Sequence, residues 1–198
     1  PAMPGSTHRF YFENLRIFDR EVYGKEAGVE LLMGVELNIL NTTGKVDLEE
    51  KALRSVDYAI ASLHDPCINP GTELDNTTAI MSAMWIPQVK IIGHPDNPRF
   101  PVDFDKIAKA AKERHVLLEC NNSSYHPGGS RAGSRDLAKK MLQACKKYGT
   151  HVIMGSDAHI DLDVGNHALS EEVIREADFP EELVINSSPE KFKEWIRA

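Results

Sequence analysis

Acidic and imidazole side chains recur in this sequence within or just after short apolar runs. They are Glu36 in Gly34-Val35-Glu36-Leu37-Asn38, His64 after the run from Ala59 to Leu63, His94 after Ile91-Ile92-Gly93, and Asp157 with His159 after Met154-Gly155. Mixed His and carboxylate donors suit Zn²⁺, Mn²⁺ or Fe²⁺, whereas Mg²⁺ and Ca²⁺ prefer oxygen alone. Each residue taken singly has a plainer reading. A lone His64 or His94 after a strand is more commonly a hydrogen-bonded structural residue. Glu36 is harder to dismiss, because a carboxylate between Val35 and Leu37 is costly to bury without a cation or a paired base. Asp157-Ala158-His159 sends two donors to the same side if the strand continues through them. Five such residues at successive strand ends favour a metal site over five independent structural explanations.

The elements that must position them follow from periodicity and caps. The pattern predicts strands over 30–40, 58–63, 89–93, 116–120, 151–154 and 183–185. Helices are predicted over 13–23, 47–56 (with Asp47 as N-cap), 76–84, 103–115, 134–148 (closed by Gly149), 166–176 and 189–197. Strands alternating with helices imply βαβ crossovers and a parallel sheet. In a parallel barrel all C-terminal strand ends open on one face. The recurrence of polar residues at the ends of at least four strands leans toward a barrel rather than an open sheet with one switch point. No Walker or dinucleotide glycine loop follows any strand, so ATP- and NAD-dependent chemistry is not expected.

Composition narrows the classes further. A chain of 198 residues with 41% hydrophobic residues fits one domain, taken as 1–198. A net charge of −7 leaves no basic stripe for a phosphate backbone, so nucleic acid is not an expected partner. Three widely spaced cysteines, Cys67, Cys120 and Cys145, suit free thiols in a reducing cytoplasm. No apolar run approaches the ~20 residues of a membrane span, so a soluble protein without a membrane partner is expected.

The segments around Glu36, His64, His94, Glu119-Cys120-Asn121-Asn122-Ser123-Ser124 and Gly155-Ser156-Asp157-Ala158-His159 resemble the later motifs of the PHP (polymerase and histidinol phosphatase) superfamily, and within it the YcdX-type phosphatases. Asn14-Leu15-Arg16-Ile17-Phe18 and Ile185-Asn186-Ser187-Ser188-Pro189 extend the likeness to nearly the whole chain. The resemblance implies an α/β fold, a distorted (β/α)7 barrel, with up to three divalent ions (zinc, alternatively manganese or iron) at the strand ends. It also implies hydrolysis of a small phosphomonoester. By that resemblance Glu36 bridges two metals, His64 and His94 hold another part of the cluster, and Asp157 and His159 complete it. A metal-bound water organised by Glu36, Asp157 and His159 is then the nucleophile, acidified by its cation.

The superfamily also carries a His-x-His pair and two further histidines ahead of the point where this sequence starts. The expectation is therefore that the first strands and part of the ligand set are absent from the chain, through loss, cleavage or supply by another chain. The 198 residues alone are then expected to be poorly stable, to bind fewer ions and to be nearly inactive. Unpaired sheet edges would invite pairing with another copy, as a homo-oligomer. Substrate phosphate would be met by His8 and Arg9 near the start, and by Arg131 in Gly128-Gly129-Ser130-Arg131-Ala132-Gly133-Ser134. That last stretch leads into a helix N-terminus, where Arg and helix amides both favour an anion. Cys67 reads as a thiol rather than a ligand, Asn121 and Asn122 as braces of strand-end loops, and His126 and His151 have no assigned role. Two alternatives stay open. One is an amidohydrolase-like metal hydrolase, although no Lys stands at a strand end to be carbamylated. The other is a non-catalytic metal-binding PHP accessory domain.

Overall fold

The computed structural model describes residues 1–198 apart from the side chain of Arg16, so that part of the Asn14–Phe18 segment lies outside the described residues. Five strands alternate with helices: β1 (Gly34–Asn38), β2 (Tyr58–Ser62), β3 (Val89–Ile92), β4 (Leu117–Asn121) and β5 (Val152–Gly155). They pair in sequence order, and every pairing is parallel. The α/β reading therefore holds. The main connecting helices are α4 (Glu73–Ala83), α5 (Phe104–Arg114), α6 (Ser134–Tyr148) and α7 (Ala168–Glu176); α1 (Arg9–Asn14), α2 (Arg20–Ala27), α3 (Glu50–Leu53) and α8 (Pro189–Arg197) complete the set.

Both faces of the sheet carry apolar residues, as expected of parallel strands covered on two sides. On one face Val35, Leu37, Ala59, Ala61, Leu118, Cys120 and Val152 form the main core with Ile80, Ile107, Met141, Leu142 and Val173 of the connecting helices. Burying each large aliphatic side chain contributes about 1.5–3 kcal/mol. On the other face Ile91, Leu117 and Ile185 pack with Tyr58, Ile60 and Ile153 under Phe192 and Trp195 of α8. Glu36 stands in register with Ile60, and Glu119 with Ile153. Both carboxylates therefore belong to this second face, at its C-terminal end.

The sheet runs open from β1 to β5, so no closed barrel is formed among the described residues. Three expectations are corrected. The strand expected over 183–185 shrinks to a single bridge between Val152 and Val184, flanked by two 3-10 turns, Glu181–Leu183 and Ile185–Ser187. The side chain of Asn186 takes over as partner of β5: its Oδ1 accepts from the Met154 N–H at 2.7 Å and its Nδ2 donates to the Met154 carbonyl at 3.0 Å. The helix expected over 13–23 is broken by a 3-10 turn at Leu15–Ile17, because Asp19 caps a new helix by accepting from the Val22 N–H. Asp47 is not a cap: α3 starts at Glu50, and the Asp47 carboxylate turns back to Asn38 at the end of β1. Gly149, at φ 66°, closes α6 as read, and Asp103 caps α5 by accepting from the Lys106 N–H.

Candidate metal centre

Alternation along β1 sends Val35 and Leu37 into the core and leaves Glu36 and Asn38 on the opposite face. His64 lies two residues beyond β2 and His94 two beyond β3, so parallel pairing brings all three strand ends together. One donor atom from each of Glu36, His64 and His94 lies within 4.8 Å of the others. The two Nε2 atoms are 3.1 Å apart, and Glu36 Oε1 is 3.3 Å from each. Ser62 Oγ donates to the same Glu36 oxygen at 2.7 Å. Burial alone would raise the Glu36 carboxyl. Close contact with the His64 and His94 imidazoles and with the Ser62 hydroxyl outweighs it and holds the group well below the usual carboxylate range. Burial pushes His94 down, against the pull of Glu36. An anionic oxygen with two imidazole nitrogens alongside is a donor set that fits a divalent transition cation.

The floor beneath this group is a second carboxylate, Glu119, which the sequence reading did not assign to the site. Glu119 Oε2 accepts the His94 N–H at 2.9 Å and faces Asn121 Nδ2 at 3.4 Å. His94 has a left-handed backbone, φ 30°, and this bond helps hold it there. Glycine is required nearby: a Cβ on Gly155 would lie 2.1 Å from Glu119 Oε1, and one on Gly93 would lie 2.2 Å from Ser62 Oγ. Burial, reinforced by the charge of Glu36, pushes Glu119 up to about 7. Asp96, two residues after His94, is buried completely beside Tyr125; burial pushes it, too, up to about 7. The signal for Glu119 was present in the sequence. It interrupts the apolar run Leu117-Leu118-Glu119-Cys120 just as Glu36 interrupts its own, whereas nothing local marks Asp96.

The other expected site residues are placed differently. β5 ends at Gly155, so the Asp-x-His alternation never forms, and Asp157 adopts a left-handed backbone, φ 53°. Arg131 Nη1 lies 3.5 Å from Asp157 Oδ2 and donates to Ser124 Oγ at 3.1 Å. The His159 side chain is 83% exposed, its Nδ1 on the Asp157 carbonyl at 2.9 Å. Thus Arg131 and Asp157 come together with each other, while His159 points to solvent and is not among the three grouped donors. His8 caps α1 by accepting from the Phe10 N–H, and Arg9 pairs with Glu49 at 3.1 Å. Cys67 remains a thiol that burial raises. Asn121 and Asn122 do brace loops: Asn121 Oδ1 accepts from the Ser124 N–H, and Asn122 Oδ1 from those of Leu169 and Ser170. An ion pair between Asp65 and Arg99 ties together the loops that follow His64 and His94.

In parallel α/β sheets the carboxyl ends of the strands, where these His and Glu donors are grouped, are the usual place for a ligand site. The comparisons narrow this. The chain is 44% identical over 198 residues to a probable phosphatase of Clostridium acetobutylicum, covering all of this chain and 79% of that relative. It is 43% identical over 197 residues to one of Caldicellulosiruptor saccharolyticus, with 100% and 80% covered, and 41% identical over 197 residues to one of Acetivibrio thermocellus, with 100% and 79% covered. The chain belongs to this family of probable phosphatases. No described family model matches it. A chain of a cryo-EM structure of archaeal ribonuclease P with mature tRNA superposes with a TM-score of 0.61 over 98% of this chain and 77% of its own, at 15% identity. That likeness concerns the fold alone. No helix is long and apolar enough to cross a membrane.

Proposed function

We propose that this protein is a metal-dependent phosphoesterase of the PHP type that hydrolyses a small phosphomonoester, its five parallel strands belonging to a distorted (β/α)7 architecture. The observation that carries the reading is the Glu36–His64–His94 group, in a chain whose relatives are named phosphatases. A divalent cation bound there (Zn²⁺, Mn²⁺ or Fe²⁺) supplies Lewis acidity toward a phosphoryl oxygen and lowers the pKa of water. Glu36 contributes the negative charge of the donor set and stays ionised at neutral pH. His64 and His94 present nitrogen lone pairs, and Glu119 and Ser62 fix His94 and Glu36 from below. Arg131, in contact with Asp157, is the cation assigned to the phosphate, and Asp157 and His159, on the loop after β5, are assigned as further donors. The charge of −7 favours a small phosphorylated substrate over a nucleic acid, and the free thiols suit the cytoplasm. Hydrolysis of p-nitrophenyl phosphate is measured after chelation and after return of Zn²⁺, Mn²⁺ or Fe²⁺. Turnover that disappears with chelation and returns with one of these ions is expected, and metal-independent turnover would sink the proposal.

A further inference from the structure

Asn38 is buried, 4% exposed, and its side chain stands between two groups of opposite demand. On one side its Oδ1 lies 2.7 Å from His64 Nδ1. On the other its Nδ2 donates to Asp47 Oδ2 at 2.7 Å, while its backbone N–H donates to Asp47 Oδ1 at 2.9 Å. Asp47 Oδ2 also accepts from the Ala2 N–H at 2.8 Å, so the groups hydrogen-bonded to this carboxylate are donors. An amide can be turned over about its last torsion, but an ionised carboxylate is acceptor-only and admits just one orientation of its neighbour. Asp47 therefore holds the NH₂ of Asn38 toward itself and the carbonyl oxygen toward His64. A carbonyl oxygen facing Nδ1 requires the proton on Nδ1. Nε2, the atom that faces Glu36 and His94, is then left with its lone pair.

From this geometry we infer that Asp47 and Asn38 are positioning residues that set the tautomer of His64, so that Nε2 is kept free for the cation. The inference rests on the metal reading of the Glu36–His64–His94 group, and it explains why Asp47 is drawn away from the cap position where the sequence alone would place it. It also assigns a task to Asn38, the buried polar residue that ends β1. Neither residue touches the cation; both act through His64.

The test reads the tautomer directly, from the ¹⁵N shifts of the His64 ring in the metal-free protein near pH 8, alongside a titration with Mn²⁺. In the unmodified protein the proton is expected on Nδ1, and a His64 proton on Nε2 would overturn the inference. Asn38→Leu keeps the volume and removes the acceptor. The folded variant should show a mixed or Nε2–H tautomer and bind Mn²⁺ about 10–100-fold more weakly. Asn38→Asp retains an oxygen toward His64 but sets a carboxylate against Asp47, so it should be the less stable of the two variants and yet keep the Nδ1–H tautomer. That opposite ordering separates control of the tautomer from support of the fold. Asp47→Leu should leave Asn38 free to turn over and populate both tautomers. An unchanged Nδ1–H signal in Asn38→Leu overturns the inference. If the unmodified protein takes up no Mn²⁺ while the tautomers still shift as described, the metal reading fails and control of the tautomer stands.

Discussion

The two sides of the strand-end rim are built on different terms. On the β1–β3 side the donors sit on short connections from paired strands. His94 is 3% exposed, its N–H is held by Glu119, His64 is held by Asn38, and Glu36 is held by Ser62. On the β5 side Asp157 and His159 follow the last strand on a loop, Asp157 is matched with Arg131, and His159 is 83% exposed. A side chain with several fixed hydrogen bonds is preorganised and loses little freedom when a ligand arrives, whereas an exposed one must be ordered at that moment. The β1–β3 side is fixed by its own hydrogen bonds, whereas the β5 side leaves His159 on an exposed loop.

The largest effect expected from this contrast is at Glu36. Glu36→Gln keeps the shape and removes the anion, so metal content and turnover should fall together, by more than the ~10–100-fold that a lost supporting hydrogen bond costs. Metal analysis and the phosphatase assay on the folded variant check it, and unchanged metal stoichiometry would break the contrast. Next is the floor. Burial raises the Glu119 carboxyl from its ordinary 4.5 to about 7, so the native state holds a proton that the unfolded chain has released across that window. Stability of the chelated protein should thus fall as pH rises from about 4.5 to 7 and level off above it, by on the order of 3 kcal/mol for this group, with Asp96 adding to the same slope. Urea unfolding of Glu119→Gln across that range should show a flatter profile. A profile as steep as that of the parent would remove Glu119 from the account.

Smaller effects belong to the β5 side. Arg131→Ala should raise KM for a charged ester by about 1.5–3 kcal/mol equivalent, with phosphate or sulfate shielding Arg131 from chemical modification in the parent protein. An equal loss on a neutral ester would make this arginine a brace for Asp157 instead. His159→Ala should change stability by less than ~0.5 kcal/mol, as exposed substitutions do, and leave the first equivalent of Mn²⁺ bound with nearly its original affinity. A loss as large as that of Glu36→Gln would show that both sides of the rim act as one site from the start.

Much of this was legible along the chain. Alternation of apolar runs with capped amphipathic segments marked all five strands and the helices between them, because burial imposes periods of 2 and 3.6 that the residues must carry. Glu36, His64 and His94 were visible for the same reason, as polar residues in or just beyond runs that burial would otherwise keep apolar. The misplaced features are those decided by a partner distant in sequence. Asp47 was read as a cap because its neighbours in sequence form a helix, yet Asn38 claims its carboxylate. The strand over 183–185 looked sound until Asn186 took the backbone groups of Met154. The Asp-x-His alternation needed the strand to continue, but β5 stops at Gly155, where Glu119 needs the space a side chain would fill.

The sequence by itself determined the α/β class and the identity of the three grouped donors, since hydrophobic period and residue chemistry are local properties. Tertiary structure alone decided that the sheet stays open between β1 and β5, that Glu119 underlies His94, and that Asp157 meets Arg131. Those outcomes depend on which hydrogen-bonding groups arrive at the same place, and residues far apart in the chain compete for them only once it has folded.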